Sequence, residues 1–265
     1  MNIKWLGQSC FKIKCQTTLV TDPYGPMVGK LPSDLTADAV TVSHNHGDHN
    51  YVKGVSGQPQ VLDQAGHFNV NEFDIKGVAA FHDNQLGQKR GADIVYVIRA
   101  ENLTLCHLGD LGHALTKDQL AEIGPVDILM IPAGGFFTIE PNEAVEVVNQ
   151  IQPKLVLPMH YQPKKSLIPS PLVPHPSIAV GQRSSWSARP VSDHAQRSPA
   201  TPSISFRALT NQSVPLTQHQ SKDGVLATVD KFTQFLGWEV NEVDELVVDR
   251  AKLDLMPRQT VIFKR

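Results

Sequence analysis

Cysteine is scarce in this chain. Only Cys10, Cys15 and Cys106 occur among 265 residues. They make no Cys-x-x-Cys pair, and any disulfide scheme would leave one over, so neither a disulfide framework nor a thiolate zinc knuckle is expected. Long apolar runs are also missing: nothing approaches the roughly 18 residues of a spanning helix. Met1-Asn2-Ile3-Lys4-Trp5-Leu6 opens directly into a strand-like alternation, without an apolar signal region. With three reduced thiols, that reads as a cytoplasmic protein. Charge of one sign is lacking too, since the formal net charge is −2. General attraction to nucleic acid is therefore not expected, although a local basic patch is compatible with it. What remains has a globular composition, 41% hydrophobic, and is long enough for a large core. Its expected partner is a small molecule, with homo-oligomerisation left open.

Histidine is not abundant either, at 11 residues. Yet His44, His46, Asp48 and His49 fall within six positions, in the run Ser43-His44-Asn45-His46-Gly47-Asp48-His49-Asn50. Ala39–Val42 before it alternates like a strand. His44 and His46, two apart, would lie on the same side of its continuation and could reach one metal ion. Gly47 relaxes the backbone so that Asp48 and His49 can turn toward a second.

This run resembles the signature of the metallo-β-lactamase superfamily. The resemblance implies an α+β fold, a four-layer αββα sandwich with a one- or two-metal site at one edge of its two sheets. It also implies three further ligands downstream at strand ends, in the order His, bridging Asp, His. The chain offers them in that order. Lys76–Phe81 ends at His82, Leu103–Leu108 is closed by Gly109-Asp110, and Lys154–Met159 leads into His160-Tyr161. Further segments resemble the compact metal-dependent hydrolase branch, which includes ascorbate-6-phosphate lactonase and N-acyl-phosphatidylethanolamine phospholipase D enzymes. They are Leu19–Pro23, Phe81–Asp83, Lys89–Gly91, His107–His113, Ile131–Gly135 and Pro158–Tyr161. In one departure, Asp93 stands where Asn is expected after an Arg-Gly pair. That bears on the Arg90 loop rather than on the metal site.

Imidazole and carboxylate ligands suit zinc, and also manganese or iron. The expected cofactor is two divalent ions, zinc first, with His44, His46 and His82 on one, Asp48, His49 and His160 on the other, and Asp110 bridging. Asp48 and Asp110 are then the carboxylates at the reacting centre. Two ions about 3.5–4 Å apart can share and deprotonate a water and clamp a developing oxyanion, so no Ser or Cys nucleophile is needed. A metal-bound His usually donates its other N–H to a carboxylate or carbonyl, which makes Asp22 the foremost supporting candidate and Asp83 a lesser one. The alternative for Asp22 is a turn residue before Pro23. His107 and His113 flank Asp110 and are candidates for substrate contact, against the alternative of buried, hydrogen-bonded structural histidines. Tyr161 is a donor candidate or a packing aromatic, and Arg90 is a substrate candidate.

The resemblance also separates branches. Asn45 stands where the diiron oxidoreductases carry Glu, which disfavours redox chemistry. Asp110 occupies the place of the Cys of common β-lactamases, and no room exists before residue 162 for the inserted domain of the nuclease branch. The function expected is metal-dependent hydrolysis of an ester, lactone or phosphoester in a small anionic substrate. The alternatives are a phosphodiesterase acting on nucleotides or phospholipids, and a non-catalytic metal-binding regulatory module.

The remaining organisation is coarse. Strands are expected near 2–6, 10–15, 18–21, 39–43, 59–62, 76–81, 94–99, 103–108, 127–131 and 154–158, with helices near 116–123 and 141–151. Residues 1–162 read as the core holding every ligand. From Pro163 to Lys222 there are nine Pro, twelve Ser, seven Lys or Arg and one acid, Asp193, with no hydrophobic period. Residues 163–224 therefore read as a disordered insertion, either a basic lid or an inert spacer. Its His175, His194 and His219 are excluded as ligands. Residues 225–265 complete the core with a helix over Val225–Leu236 and strands over Glu245–Val248 and Thr260–Phe263.

Overall fold

The computed structural model describes residues 1–162 and 227–264. The expected insertion and the start of the Val225–Leu236 helix lie outside the described residues. Seven strands open the chain: β1 (Asn2–Gly7), β2 (Cys10–Lys14), β3 (Thr18–Thr21), β4 (Ala39–Thr41), β5 (Gln60–Leu62), β6 (Gly66–Val70) and β7 (Phe73–Phe81). β8 (Ala92–Ala100) and β9 (Leu103–His107) follow, then helix α1 (Lys117–Ile123), β10 (Ile128–Pro132), helix α2 (Pro141–Ile151) and β11 (Leu155–Met159). After the gap come α3 (Val229–Leu236), β12 (Glu239–Val243), β13 (Leu246–Val247), α4 (Arg250–Leu255) and β14 (Gln259–Phe263).

The strands form two sheets, ordered β13-β1-β2-β3-β4-β5 and β12-β14-β11-β10-β9-β8-β7-β6. Alternation in β1 and β2 sends Ile3, Trp5, Phe11 and Ile13 inward against Ile75, Tyr96, Ile98, Leu105 and Leu157 of the larger sheet. β10 and β11, paired in parallel, are buried at every position, as expected where a sheet is covered on both faces. The second cover consists of helices. Ala144, Val147 and Val148 of α2 and Phe232 of α3 pack on Val95, Val97, Leu129 and Val156. α2 begins with Pro141, whose missing N–H costs nothing in a first turn, and is capped by reciprocal Glu140 and Glu143 bonds.

The chain thus has the expected sandwich of two sheets with helices. The outer face of the six-stranded sheet is covered among the described residues by the irregular segment 23–56. There Tyr24, Leu35 and Val55 meet Cys10, Val20 and Val40. Three elements had no sequence signal. β6 and β12 are edge strands with mostly exposed, polar faces, and α4 is only six residues long, started by the Asp249 side-chain cap. Exposed at most positions or only six residues long, such pieces carry little hydrophobic period.

Candidate metal centre

Topology collects the candidate residues at one edge. β9, β10 and β11 are mutually parallel, and β7 runs the same way because each of β7 and β9 is antiparallel to β8. Their carboxyl ends therefore coincide. His82 follows β7 directly, Asp110 lies three residues past β9, and His160 follows β11 directly. In the other sheet β3 and β4 are parallel, and Asp22 and the His44–His49 run follow their ends. The β1–β2 turn joins this edge, with the His160 amide donating to the Gln8 carbonyl at 3.1 Å. His160, Asp22 and Gln8 all hold left-handed backbone, with φ of 51°, 39° and 51°. Such conformations cost non-glycine residues on the order of 1 kcal/mol each and concentrate where a side chain must be aimed.

Within the cluster, ligand atoms of His44, His46 and His82 lie within 4.8 Å of one another, as do those of Asp48, His49 and His160. Asp110 stands between the two groups. Its Oδ2 is 3.3 Å from His82 Nε2 in the first group, and 3.2 Å from both His49 Nε2 and His160 Nε2 in the second. It is 3.9 Å from His44 Nε2. His44, His49, His82, Asp110 and His160 are buried, whereas His46 and Asp48 are half-buried, so the cluster opens to solvent on their side.

Burial opposes the charge on Asp110, but His160 and His49 beside it hold its carboxyl well below the usual range. Burial likewise disfavours the imidazolium at His49 and His160, and Asp110 overrides it, raising both. Burial pushes His82 down to about 3; Asp110 opposes this, while the neighbouring histidines reinforce it. Asp48 is lowered, with His49 outweighing its burial.

Outer contacts aim these groups. Asp22 is a buried hub: its Oδ1 accepts from the Ser43 amide at 2.8 Å, and its Oδ2 accepts from Ser43 Oγ at 2.6 Å. His49 Nδ1 lies 2.9 Å from the same Oδ2. Ser43 Oγ in turn lies 3.0 Å from His44 Nδ1. Gln8 Nε2 donates to Asp48 Oδ2 at 3.0 Å. Neither Ser43 nor Gln8 carried a signal in the sequence beyond adjacency to a motif or a turn. Asp93 changes meaning most. Instead of shaping the Arg90 loop, its buried carboxylate reaches the cluster, with Oδ1 3.4 Å from His44 Nδ1 and accepting from the Asp110 amide at 3.2 Å. Burial and the nearby Asp110 raise its carboxyl, against His44.

The other candidates sit farther out. Asp83 organises the loop after His82 by accepting from the amides of Gln85, Gly87, Lys89 and Arg90. Arg90 from that loop donates to the Phe136 carbonyl at 2.9 Å and lies over the Phe137 ring at 5.6 Å. It thereby spans from the end of β7 to the loop beyond β10. His107 is fully buried, with Nε2 2.8 Å from the Ser9 carbonyl and Nδ1 accepting from the Gly109 amide. His113 accepts from the Phe81 amide and contacts the Ala114 carbonyl. Backbone thus occupies both nitrogens of each ring. Tyr161 stacks on Trp5 at 5.1 Å between centroids.

The donor set fits divalent metal. Buried polar atoms almost always find partners, yet His44 Nε2, His49 Nε2 and Asp110 Oδ1 are buried with no hydrogen-bond partner. The outward nitrogens Nδ1 of His44 and His49 are engaged, as expected of rings that present Nε2 to an ion. No helix among the described residues is long and apolar enough to cross a membrane.

Comparison with known proteins agrees with this geometry. A model of the β-lactamase superfamily domain matches residues 2–160. A solved structure of a proposed Zn-dependent hydrolase of the metallo-β-lactamase superfamily from Thermotoga maritima is 30% identical. It superposes with a TM-score of 0.64, covering 99% of this chain and 97% of that one. A metal-dependent hydrolase of Carboxydothermus hydrogenoformans is 29% identical over 191 residues, spanning 61% of this chain and 84% of its own. One from Methanopyrus kandleri is 27% identical over 193 residues, with the same shares. With the sandwich, the order of strand ends and the family match in agreement, the chain belongs to the β-lactamase superfamily-domain family and is a metal-dependent hydrolase of the metallo-β-lactamase superfamily.

Proposed function

We propose that the centre is dinuclear and hydrolyses an ester, lactone or phosphoester in a small anionic molecule. His44, His46 and His82 would hold one ion, Asp48, His49 and His160 the other, and Asp110 would be shared. The observation that carries this is the position of Asp110 Oδ2, within 3.3 Å of imidazole nitrogens from both groups. Zinc is the favoured metal, supported by the donor types and by the zinc dependence proposed for the Thermotoga maritima relative. When bound, a metal pair supplies a water activated near neutral pH and a Lewis acid for the bond under attack.

The chain's own residues do the rest. Asp22 accepts from His49 Nδ1, which fixes the tautomer that leaves Nε2 bare. Gln8 orients Asp48, the most solvent-facing carboxylate of the set. Arg90, held by the Phe136 carbonyl and the Phe137 face, offers a fixed positive charge in the loop beside His82. That charge and the lactonase resemblance support an anionic ester or lactone.

The test is metal per chain, followed by hydrolysis of lactones, phosphomonoesters and phosphodiesters by wild type, Asp110→Ala and His46→Ala. Two ions per chain and activity abolished by both substitutions are expected. A full metal complement without turnover on any class would overturn the hydrolytic reading as stated. Activity surviving both substitutions would overturn the site.

A further inference from the structure

We infer that Asp93 is a positioning residue for the His44–His46–His82 position, set behind His44 as Asp22 is set behind His49, so that each proposed ion has its own buried carboxylate. The inference depends on the two-ion reading above.

Asp93 is the second residue of β8 and its side chain is wholly buried. One oxygen is spent on the Asp110 amide and the edge of His44; the other, Oδ2, is buried with no partner. Among the described residues no Lys or Arg comes within ion-pair distance of it, so it does not belong to a structural salt bridge. A buried carboxylate lacking a cation is strongly disfavoured. A cation held by His44 would supply one.

The neighbouring backbone makes room for this group. Gly109 holds φ +56°, and a Cβ there would collide with the Asp93 carboxylate and sit 2.7 Å from Ser43 Cβ. The turn that presents Asp110 is thus built directly over Asp93. The Asn expected from the family resemblance would supply the same acceptor to the Asp110 amide, but no charge. At 3.4 Å from His44 Nδ1, at ion-pair distance rather than in a hydrogen bond, the Asp93 carboxylate would act on the imidazole through its charge, and loss of an outer partner of this kind costs about 10–100-fold in metal affinity. Ser43 Oγ, 3.0 Å from the same nitrogen, already donates its proton to Asp22, so it offers His44 an acceptor without a charge.

The experiment titrates Co2+ against a competing chelator, using full-length protein. Asp93→Asn is placed in wild type and in two backgrounds, His160→Ala, which leaves the first position, and His46→Ala, which leaves the second. The substitution should weaken Co2+ binding about 10–100-fold in the His160→Ala background and less than about threefold in the His46→Ala background. Asp22→Asn, as a control, should weaken binding in the His46→Ala background through His49. Equal effects of Asp93→Asn in both backgrounds, or none, would overturn the inference while wild type still binds two ions. Wild type binding fewer than two would instead overturn the two-ion reading. Thermal unfolding after chelation checks the fold, and Asp93→Ser serves as the second variant should Asp93→Asn not fold.

Discussion

The two edges of the larger sheet handle charge in opposite ways. At the edge where β9 and β10 begin, Arg250 from α4 bridges to Asp127 and to the Asn102 carbonyl, and Asp127 also accepts from the Thr104 amide. There the acid has a cation, a backbone donor and partial access to water. At the edge where the same strands end, Asp110 is buried among imidazoles and His44, His49, His82, Asp93 and His160 each carry a buried polar atom without a partner. The first edge is satisfied and contributes stability. The second holds Asp110 against His49, His82 and His160 and still leaves buried ring and carboxylate atoms without hydrogen-bond partners, an arrangement that a bound cation would complete. Positive φ does not separate the two: Asp22, His160 and Gln8 hold it at the second edge, and Glu101, Asn102 and Gln152 at the first.

Four perturbations sharpen this contrast. The largest effect is expected from Asp110→Ala, which removes the acid shared by both groups. Turnover should fall by on the order of a thousandfold, matching several kcal/mol of lost transition-state stabilisation, while the chelated protein keeps its far-UV spectrum. Retained turnover with a native metal content would break the contrast.

Next comes Gly109→Ala, whose Cβ meets Asp93 and Ser43. Overpacking plus a positive φ should cost about 1–3 kcal/mol, read as a lowered Tm together with reduced metal content. An unchanged Tm would show that the turn over Asp93 relaxes freely.

Chelation and pH form the third. His49 and His160 are raised, so in the chelated protein their contribution to stability is present below about pH 6.5 and lost as pH rises through their folded values. Asp110 is lowered, so its contribution is present above about pH 4 and lost as pH falls through its folded value. Protons must leave both histidines on metal binding. Affinity should therefore rise as pH increases above about 6.5, through the raised values of both rings, with proton release visible by calorimetry in buffers of different ionisation enthalpy. A pH-independent affinity would contradict these shifts.

The smallest effect is expected at the opposite edge. Arg250→Ala should lower stability by about 0.5–1 kcal/mol, because the guanidinium is partly exposed and its pair with Asp127 is screened. Turnover should not change. A loss of activity there would mean that the two edges are coupled.

Much of the sandwich could be read in the sequence, because strands such as Cys10–Lys14 and Leu155–Met159 carry their burial in their residue types. The edge strands β6 and β12 could not, since most of their positions are exposed and no apolar alternation marks them. The candidate ligands were legible because four lie within six residues and the others end apolar runs. Their supporting contacts were less so. Gln8 reaches Asp48 across forty positions, and Asp93 reaches His44 across two sheets.

By itself the sequence determined the candidate ligand types, their order and the strands that carry them, since these follow from local pattern and from donor chemistry. Tertiary structure alone decided which groups converge on Asp110. It also decided that His107 and His113 are spent on backbone, and that Asp93 belongs to the metal edge rather than to the Arg90 loop. Packing two sheets face to face with their strand ends at one edge brings distant residues within hydrogen-bond range, and no local pattern records which nitrogen of a ring is then left without a partner.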